Sequence, residues 1–487
     1  MNIFMVSSES VPFSKSGGLA DVVGALSSAL SSLGSDVRVL VPCYGNMDIS
    51  GFSDMTIGID IPLLGKTERV TFIETELDNV HFYFLCHPWF QNRKGIYGDS
   101  SYTPYSDNLE RYMLLNKAAL PLCKALHWKP EIIHCHDWTC GFIPYLMDLE
   151  RDAFFSGTAS IMTIHNLAYQ GDFSRLQLLG GNLQSDKRMF SGDTPEKRVN
   201  MLKTGLEFAD AITTVSPTYA KEIQTAEYGC KLDHLMRERS NNLCGIINGI
   251  DYEEWNPQTD TFFDDHFSRE DLQGKAKTKA LVQKEFKLPV DPNIPLISMI
   301  SRIADQKGFV ELLEGSPCAL EKLVRDYPLQ MLIVGTGDER MEKQMLELAN
   351  RYENLSVNIM FSNRGAHRIE AASDFFLMPS RYEPCGLNQL YSLRYGTLPI
   401  ARKTGGLADS IIDLDESPQE GTGILFKTIS GDAIIEGVKR ALYWWEKGSK
   451  EMDLIRIRCM DSDATWERSA RSYLNIYETS IREKKTW

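Results

Sequence analysis

Lys15-Ser16-Gly17-Gly18-Leu19-Ala20-Asp21 returns late in the chain as Lys403-Thr404-Gly405-Gly406-Leu407-Ala408-Asp409. A Gly-Gly turn that opens a helix leaves backbone N–H groups uncovered, and together with the helix dipole these favour a phosphate. Either copy alone reads equally well as a tight turn between a strand and a helix. Two copies, one in each half of the chain, are expected to grip an anion from both sides. Arg302 and Lys307 stand between them in sequence, Lys307 followed by Gly308. They are either a solvated pair or a guanidinium fork and a point charge on a diphosphate. In a chain of net charge −14, two cations beside a glycine favour the diphosphate.

Three more positions could carry chemistry. Glu383, followed by Pro384, Cys385 and Gly386, is either a surface carboxylate or an acceptor for sugar hydroxyls that steadies positive charge at an anomeric carbon. Asp137 is either a helix N-cap or a second such carboxylate, with Trp138 beside it to stack on a sugar ring. His165 is either a satisfied core histidine or, with Asn166 after it, a side chain aimed into a cleft.

Placing these residues requires strands, and short apolar runs precede each of them. Ile3 to Val6 is followed by helical spacing at Leu19, Val22, Val23, Leu26, Leu30 and Leu33, a stop at Gly34, and alternation at Val37, Val39 and Val41. This βαβ opening predicts a parallel sheet. Further strands are expected at 132–135, 160–164, 211–215 and 245–247. A polar break follows Asn248, and a second series is expected at 296–300, 330–334, 357–361, 374–378 and 398–401. Loops are expected over 96–108 and 171–195. The pattern predicts two doubly wound α/β domains, 1–250 and 251–465, with a helix over 466–487 packing back across the joint. Ligands of such sheets bind beyond the carboxyl ends of the strands, so the site is expected in a cleft between the domains.

With 487 residues, the chain exceeds a single core. Its negative charge argues against nucleic acid and anionic lipid as partners. No apolar run is long enough to span a bilayer, and the N-terminus lacks a basic leader, so a cytoplasmic protein with ten reduced cysteines is expected. His134, Cys135, His136 and Cys140 match no common zinc spacing, so no metal is assigned. Neither GxxxxGK[ST] nor GxGxxG is present.

The strings KSGGLADVVGAL, HCHDW, TIHNLAYQG, TVSPTYAKEI, NGIDYEEWNP, SRIADQKG, VGTGD and PSRYEPCGLNQLYSLRYGTLPIARKTGGLADSI, in this order, resemble bacterial glycogen synthases and plant starch synthases from about residue 2 to about residue 480. The resemblance implies the GT-B fold, and transfer of glucose from ADP-glucose to the 4-hydroxyl at the non-reducing end of an α-1,4-glucan. It also implies that configuration is retained and that neither cofactor nor metal is needed. It implies that Lys15, Gly17 and Gly18 meet the donor's diphosphate or glucose, that Arg302 and Lys307 neutralise the leaving ADP, and that Thr404, Gly405 and Gly406 supply backbone donors to the distal phosphate. It further implies that Glu383 holds glucose hydroxyls with Cys385 and Gly386 beside it, and that Asp137 orients the acceptor. The His165 carbonyl would face the anomeric carbon, with Asp21 and Asn248 as further cleft residues. Tyr391 stands where many retaining GT-B enzymes carry a second Glu. Phe361 stands where related enzymes stack a Tyr on adenine, and Ser16 replaces the commoner Thr. A UDP-glucose-dependent transferase or one with another acceptor is the rival within enzymes, a glucan phosphorylase a second, and a non-catalytic glucan-binding protein the third. The sequence assigns no oligomeric state.

Overall fold

The opening strand, Asn2–Val6, lies between Ile132–His136 and Asp36–Pro42, parallel to both. The computed structural model containing it describes residues 1–63, 65–99, 103–174, 186–190 and 198–485. The expected loops over 96–108 and 171–195 fall partly outside these. After the first strand, helix Gly18–Ser32 buries Leu19, Val22, Val23, Leu26 and Leu30 against the sheet. It ends where expected. Gly34 takes φ +90°, its N–H donates to Ser31 O at 2.8 Å, and Ser35 N donates to Leu30 O at 3.1 Å. These two bonds are a Schellman cap, which the glycine's left-handed backbone permits.

Two compact units form, each with its own sheet. One holds Met1–Val215, Ala220–Ile246 and the C-terminal stretch from Trp466, the other Ser216–Tyr219 and Ile247–Thr465. In the first, seven strands are parallel in the order Leu243–Gly245, Ala211–Thr214, Ala159–Ile164, Ile132–His136, Asn2–Val6, Asp36–Pro42, Val80–Cys86. Lys66–Leu77 and Ser53–Leu63 then continue the sheet antiparallel. The expected parallel sheet thus carries an antiparallel edge. A hairpin needs only a short connection, whereas each parallel step needs a crossover. The last parallel strand is Leu243–Gly245, so the expected run over 245–247 is displaced by two residues.

The second unit's sheet is wholly parallel, in the order Leu355–Ile359, Gln330–Gly335, Leu296–Ile300, Phe375–Met378, Leu398–Arg402, Ile424–Phe426. Numbered along the chain this is 3-2-1-4-5-6, the doubly wound dinucleotide-fold order. Its core is continuous from Ile297 and Met299 through Leu320, Leu323 and Ile333 to Ile434 and Val438.

The C-terminal helix, Trp466–Lys485, packs into the first unit. Trp466, Ala470, Tyr473, Tyr477 and Ile481 recur at helical spacing and are buried with Ile3, Val22 and Leu26. Tyr477 shares a hydrogen bond with His134 Nδ1 at 2.8 Å, and Lys484 pairs with Asp210 at 2.8 Å.

Candidate functional site

In each sheet the strand order reverses at one pair of parallel strands, where the loops that leave them run to opposite sides and a crevice forms. In the first unit the pair is Asn2–Val6 with Ile132–His136, in the second Leu296–Ile300 with Phe375–Met378. The loops leaving these four strands carry Glu9 to Gly18, Asp137 and Trp138, Arg302 and Lys307, and Ser380 to Gly386.

In the second unit the geometry is tight. Lys307 Nζ lies 2.5 Å from Glu383 Oε2, which also accepts from Ser380 Oγ at 3.0 Å. The Glu383 side chain is 7% exposed and that of Lys307 21%. One of the three ammonium donors is thus spent on the carboxylate. Arg302 is exposed, and its guanidinium donates to Gln306 Oε1 at 3.3 Å. Cys385 is buried, with its thiol pushed up to about 12 by burial. It accepts from the backbone N–H of Asn248, whose own Oδ1 is buried without a hydrogen-bond partner among the described residues. Phe361 is 91% exposed. The expected strand over 357–361 ends two residues early, at Ile359, which places this ring on the loop before helix Asn363–Ala372.

The second glycine turn departs from expectation. The Thr404 amide donates to Arg402 O at 2.9 Å, and the Gly406 amide to the Glu383 and Pro384 carbonyls at 3.1 Å each. These amides are not bare. A Cβ on Gly405 would sit 1.9 Å from Glu383 O, and one on Gly406 2.1 Å from Cys385 O. The glycines are there because the Glu383–Cys385 loop lies directly on them, and the turn holds that loop in place.

The first turn differs again. A Cβ on Gly17 would meet nothing within 4 Å, and its φ of −161° suits any residue. Its amide is nevertheless occupied. Glu9, 2% exposed, accepts from the Ser16 and Gly17 N–H groups, from Ser16 Oγ at 3.0 Å and from Tyr97 OH at 2.8 Å. Burial raises its carboxyl above the usual range even so. Lys15 is mostly exposed and pairs with Asp21 at 2.7 Å.

Asp137 does not cap the short helical turn Trp138–Cys140 that follows it. Its carboxylate instead accepts from His165 N at 2.8 Å and from the Asn166 amide, tying two strand ends together. Its backbone sits at φ +55°, ψ −174°, a region few residues other than glycine occupy. Burial, with a smaller push from the Glu9 charge, raises its carboxyl to about 7. Trp138 is half-buried against Tyr112 and Phe173, with Gly171 pressed on its ring. Packing takes up that part of the indole. Asn166 closes its own loop, accepting from Ala168 N at 3.1 Å.

His165 is held down to about 3 by burial and is neutral. Its Nε2 lies 3.0 Å from His136 Nδ1, and His136 Nε2 is buried without a partner among the described residues. An unpaired acceptor costs less than an unpaired N–H, so the network assigns the proton to His136 Nδ1 and the second proton to His165 Nδ1. Of the four residues first weighed as metal ligands, His134 is spent on Thr163 and Tyr477, and Cys140 on Val6 O at 3.2 Å.

From sequence alone Glu9 and Tyr97 carry no assignment, Ser380 only a place after a strand, and His136 only a place in a cysteine-histidine cluster of no common zinc spacing. The available signal for Glu9 was its place immediately after a switch-point strand. A cavity of about 600 Å³ in the second unit, lined by Lys275, Lys279, Asp374, Trp445 and Arg456, lies at the opposite, amino-terminal edge of its sheet. Its charges brace the fold: Lys279 and Arg456 pair with Asp374, and Lys275 donates to Ala371 O, Tyr395 O and Thr397 Oγ1. Among the described residues no helix is long and apolar enough to cross a membrane.

Two doubly wound units with polar loops at their switch points, one holding a lysine-paired buried carboxylate, form a glycosyltransferase of the GT-B class. Starch synthase catalytic domain matches residues 2–238, and Glycosyl transferases group 1 matches residues 283–452. The chain is 40% identical to the glycogen synthase of Treponema denticola and 42% identical to that of Anaeromyxobacter sp., over 99% and 98% of its length and 99% of each of theirs. The catalytic domain of starch synthase IV from Arabidopsis thaliana, bound to ADP and acarbose, superposes with a TM-score of 0.88 at 30% identity over 99% of both chains. The chain belongs to the glycogen and starch synthase family. It is a glycosyltransferase with glycogen synthase function, using a nucleotide-sugar donor and a glucan acceptor.

Proposed function

We propose that the protein moves glucose from ADP-glucose to the 4-hydroxyl at the non-reducing end of an α-1,4-glucan, glycogen, with retention at C1. The observation that carries this is the Lys307–Glu383–Ser380 cluster at the second unit's switch point, with the exposed Phe361 ring free to cover a base. The likeness to a starch synthase bound to ADP supports it. As the bond from C1 to phosphate breaks, negative charge gathers on ADP. Lys15, Arg302 and the two remaining Lys307 donors are the groups to neutralise it, which is usually the largest catalytic contribution. Glu383 takes glucose hydroxyls, and the His165 carbonyl faces the electron-poor C1. Attack comes from the face the phosphate leaves. The acceptor oxygen bonds to C1 while its proton passes to the departing phosphate oxygen, so no carboxylate nucleophile is required. The reaction belongs in the cytoplasm, where ten thiols stay reduced.

A donor panel tests this: ADP-, UDP- and GDP-glucose with glycogen, following incorporated glucose. Preference for ADP-glucose is expected, and no incorporation from any of the three rejects the proposal. Phe361→Ala is expected to raise the donor KM about tenfold, the worth of one stacked ring, with kcat within about twofold. An unchanged KM removes the ring from base binding.

A further inference from the structure

We propose that Glu9 is a positioning residue for glucosyl transfer: by accepting the Ser16 and Gly17 amides it holds the first glycine turn, and with it Lys15 and the start of helix Gly18–Ser32, where the transferring group needs them. This rests on the reaction proposed above. The geometry points to Glu9 in three ways. Its carboxylate is buried and accepts from two successive backbone amides, from Ser16 Oγ and from Tyr97 OH, and Tyr97 OH is itself 2.7 Å from Ser8 Oγ. Its partners on the turn stand between Lys15 and the helix, so the carboxylate fixes the turn from inside the protein. The outer side of the turn is open, because a Cβ on Gly17 meets no described atom.

A carboxylate buried this deeply is costly, and ordinary packing would be served as well by an apolar residue. Its position is explained if the turn must be held to within a fraction of an ångström, since small misplacements of a catalytic group cost large factors in rate. Arg302, Lys307 and Phe361 lie in the other unit and are proposed to supply most donor affinity. Loss of Glu9 should therefore appear in kcat more than in KM.

The test compares wild type with Glu9→Ala, Glu9→Gln and Glu9→Asp. The readouts are kcat and donor KM with ADP-glucose and glycogen, the Kd for ADP, and hydrogen exchange at the Ser16 and Gly17 amides. Expected for Glu9→Ala is a kcat about thirtyfold lower, with donor KM and ADP Kd within about threefold, and faster exchange at both amides. Glu9→Gln keeps an accepting oxygen at the same reach and should stay within about fivefold in kcat with the protection intact. Glu9→Asp keeps the charge but falls a methylene short, so it should resemble Glu9→Ala. It remains decisive if the alanine variant fails to fold. The proposal is overturned by normal kcat in Glu9→Asp, by a loss confined to KM, or by Glu9→Gln as impaired as Glu9→Ala. Wild-type protein inactive with every donor sinks the proposed reaction, whereas an active wild type matched by Glu9→Ala sinks only the role of Glu9.

Discussion

Lys307→Ala is expected to lower kcat for glucosyl transfer about 10³-fold, the usual consequence of deleting one preorganised charge aimed at a leaving group. The same change should cost stability. Glu383 would be left buried, with Ser380 Oγ as its remaining close hydrogen-bond donor among the described residues, and breaking a buried pair from one side costs about 3 kcal/mol. The two losses can be separated. Glu383→Gln in the Lys307→Ala background removes the stranded charge, so it should recover most of the stability and none of the rate. Glu383→Gln alone leaves a lysine that can turn towards water and should cost less than Lys307→Ala. Urea denaturation of the four proteins at pH 7, with initial rates at saturating donor and glycogen, completes the cycle. A Lys307→Ala enzyme of near-normal rate would remove this lysine from the chemistry. A double variant as unstable as the single would mean the pair is not what holds Glu383.

The fold was legible wherever a strand is buried on both faces. Ile132–His136, Ala159–Ile164, Leu296–Ile300 and Gln330–Gly335 are apolar runs bounded by polar loops, and each lies within about a residue of its expectation. The antiparallel pair at the edge of the first sheet was not read. Ile57, Ile59, Ile61 and Leu63 alternate with Thr56, Gly58, Asp60 and Pro62, a period of two that marks a strand covered on one face. Such a strand carries fewer apolar residues than a helix crossover and is easily passed over as polar connection. Asp60 pairs across it with Arg69 at 2.9 Å, a contact no local pattern could reveal.

The site was legible by residue type and illegible by partner. Lys307 and Glu383 were both singled out, yet nothing in sequence says that they touch across 76 positions. The repeated glycine turn shows why. One string of letters does two different things: at Gly405 and Gly406 the missing side chains admit the backbone of the Glu383 loop, and at Gly17 there is open space outside and a buried carboxylate inside. Periodicity reports which face of an element is covered. It is silent on what covers it, and the role of a Gly-Gly pair depends on that neighbour alone.

Asp137 is where stability and chemistry should pull in opposite directions. Its backbone strain and its desolvated carboxyl, raised to about 7, are both costs that a packing role does not explain, and such outliers gather at functional positions. The sign of the pH effect follows from the direction of the shift. An unfolded Asp ionises near 3.9, so below that pH both states hold the proton and the burial penalty is absent. As pH rises towards 7 the unfolded state ionises first, and folding loses stability; beyond 7 the full penalty, about 2–4 kcal/mol, is in place. Asp137→Asn cannot ionise and still offers an oxygen to the His165 and Asn166 amides. It should therefore be more stable than wild type by about that amount at pH 8, with the advantage shrinking towards pH 4. If the carboxylate orients the acceptor sugar, the same variant should lose about a hundredfold in kcat, a gain in stability obtained by giving up function. Denaturation at pH 4.5 and pH 8, beside rates at saturating glycogen, reads both effects. A stability difference independent of pH would mean that Asp137 titrates normally, and a fully active Asp137→Asn enzyme would leave the strained backbone here without a catalytic reason.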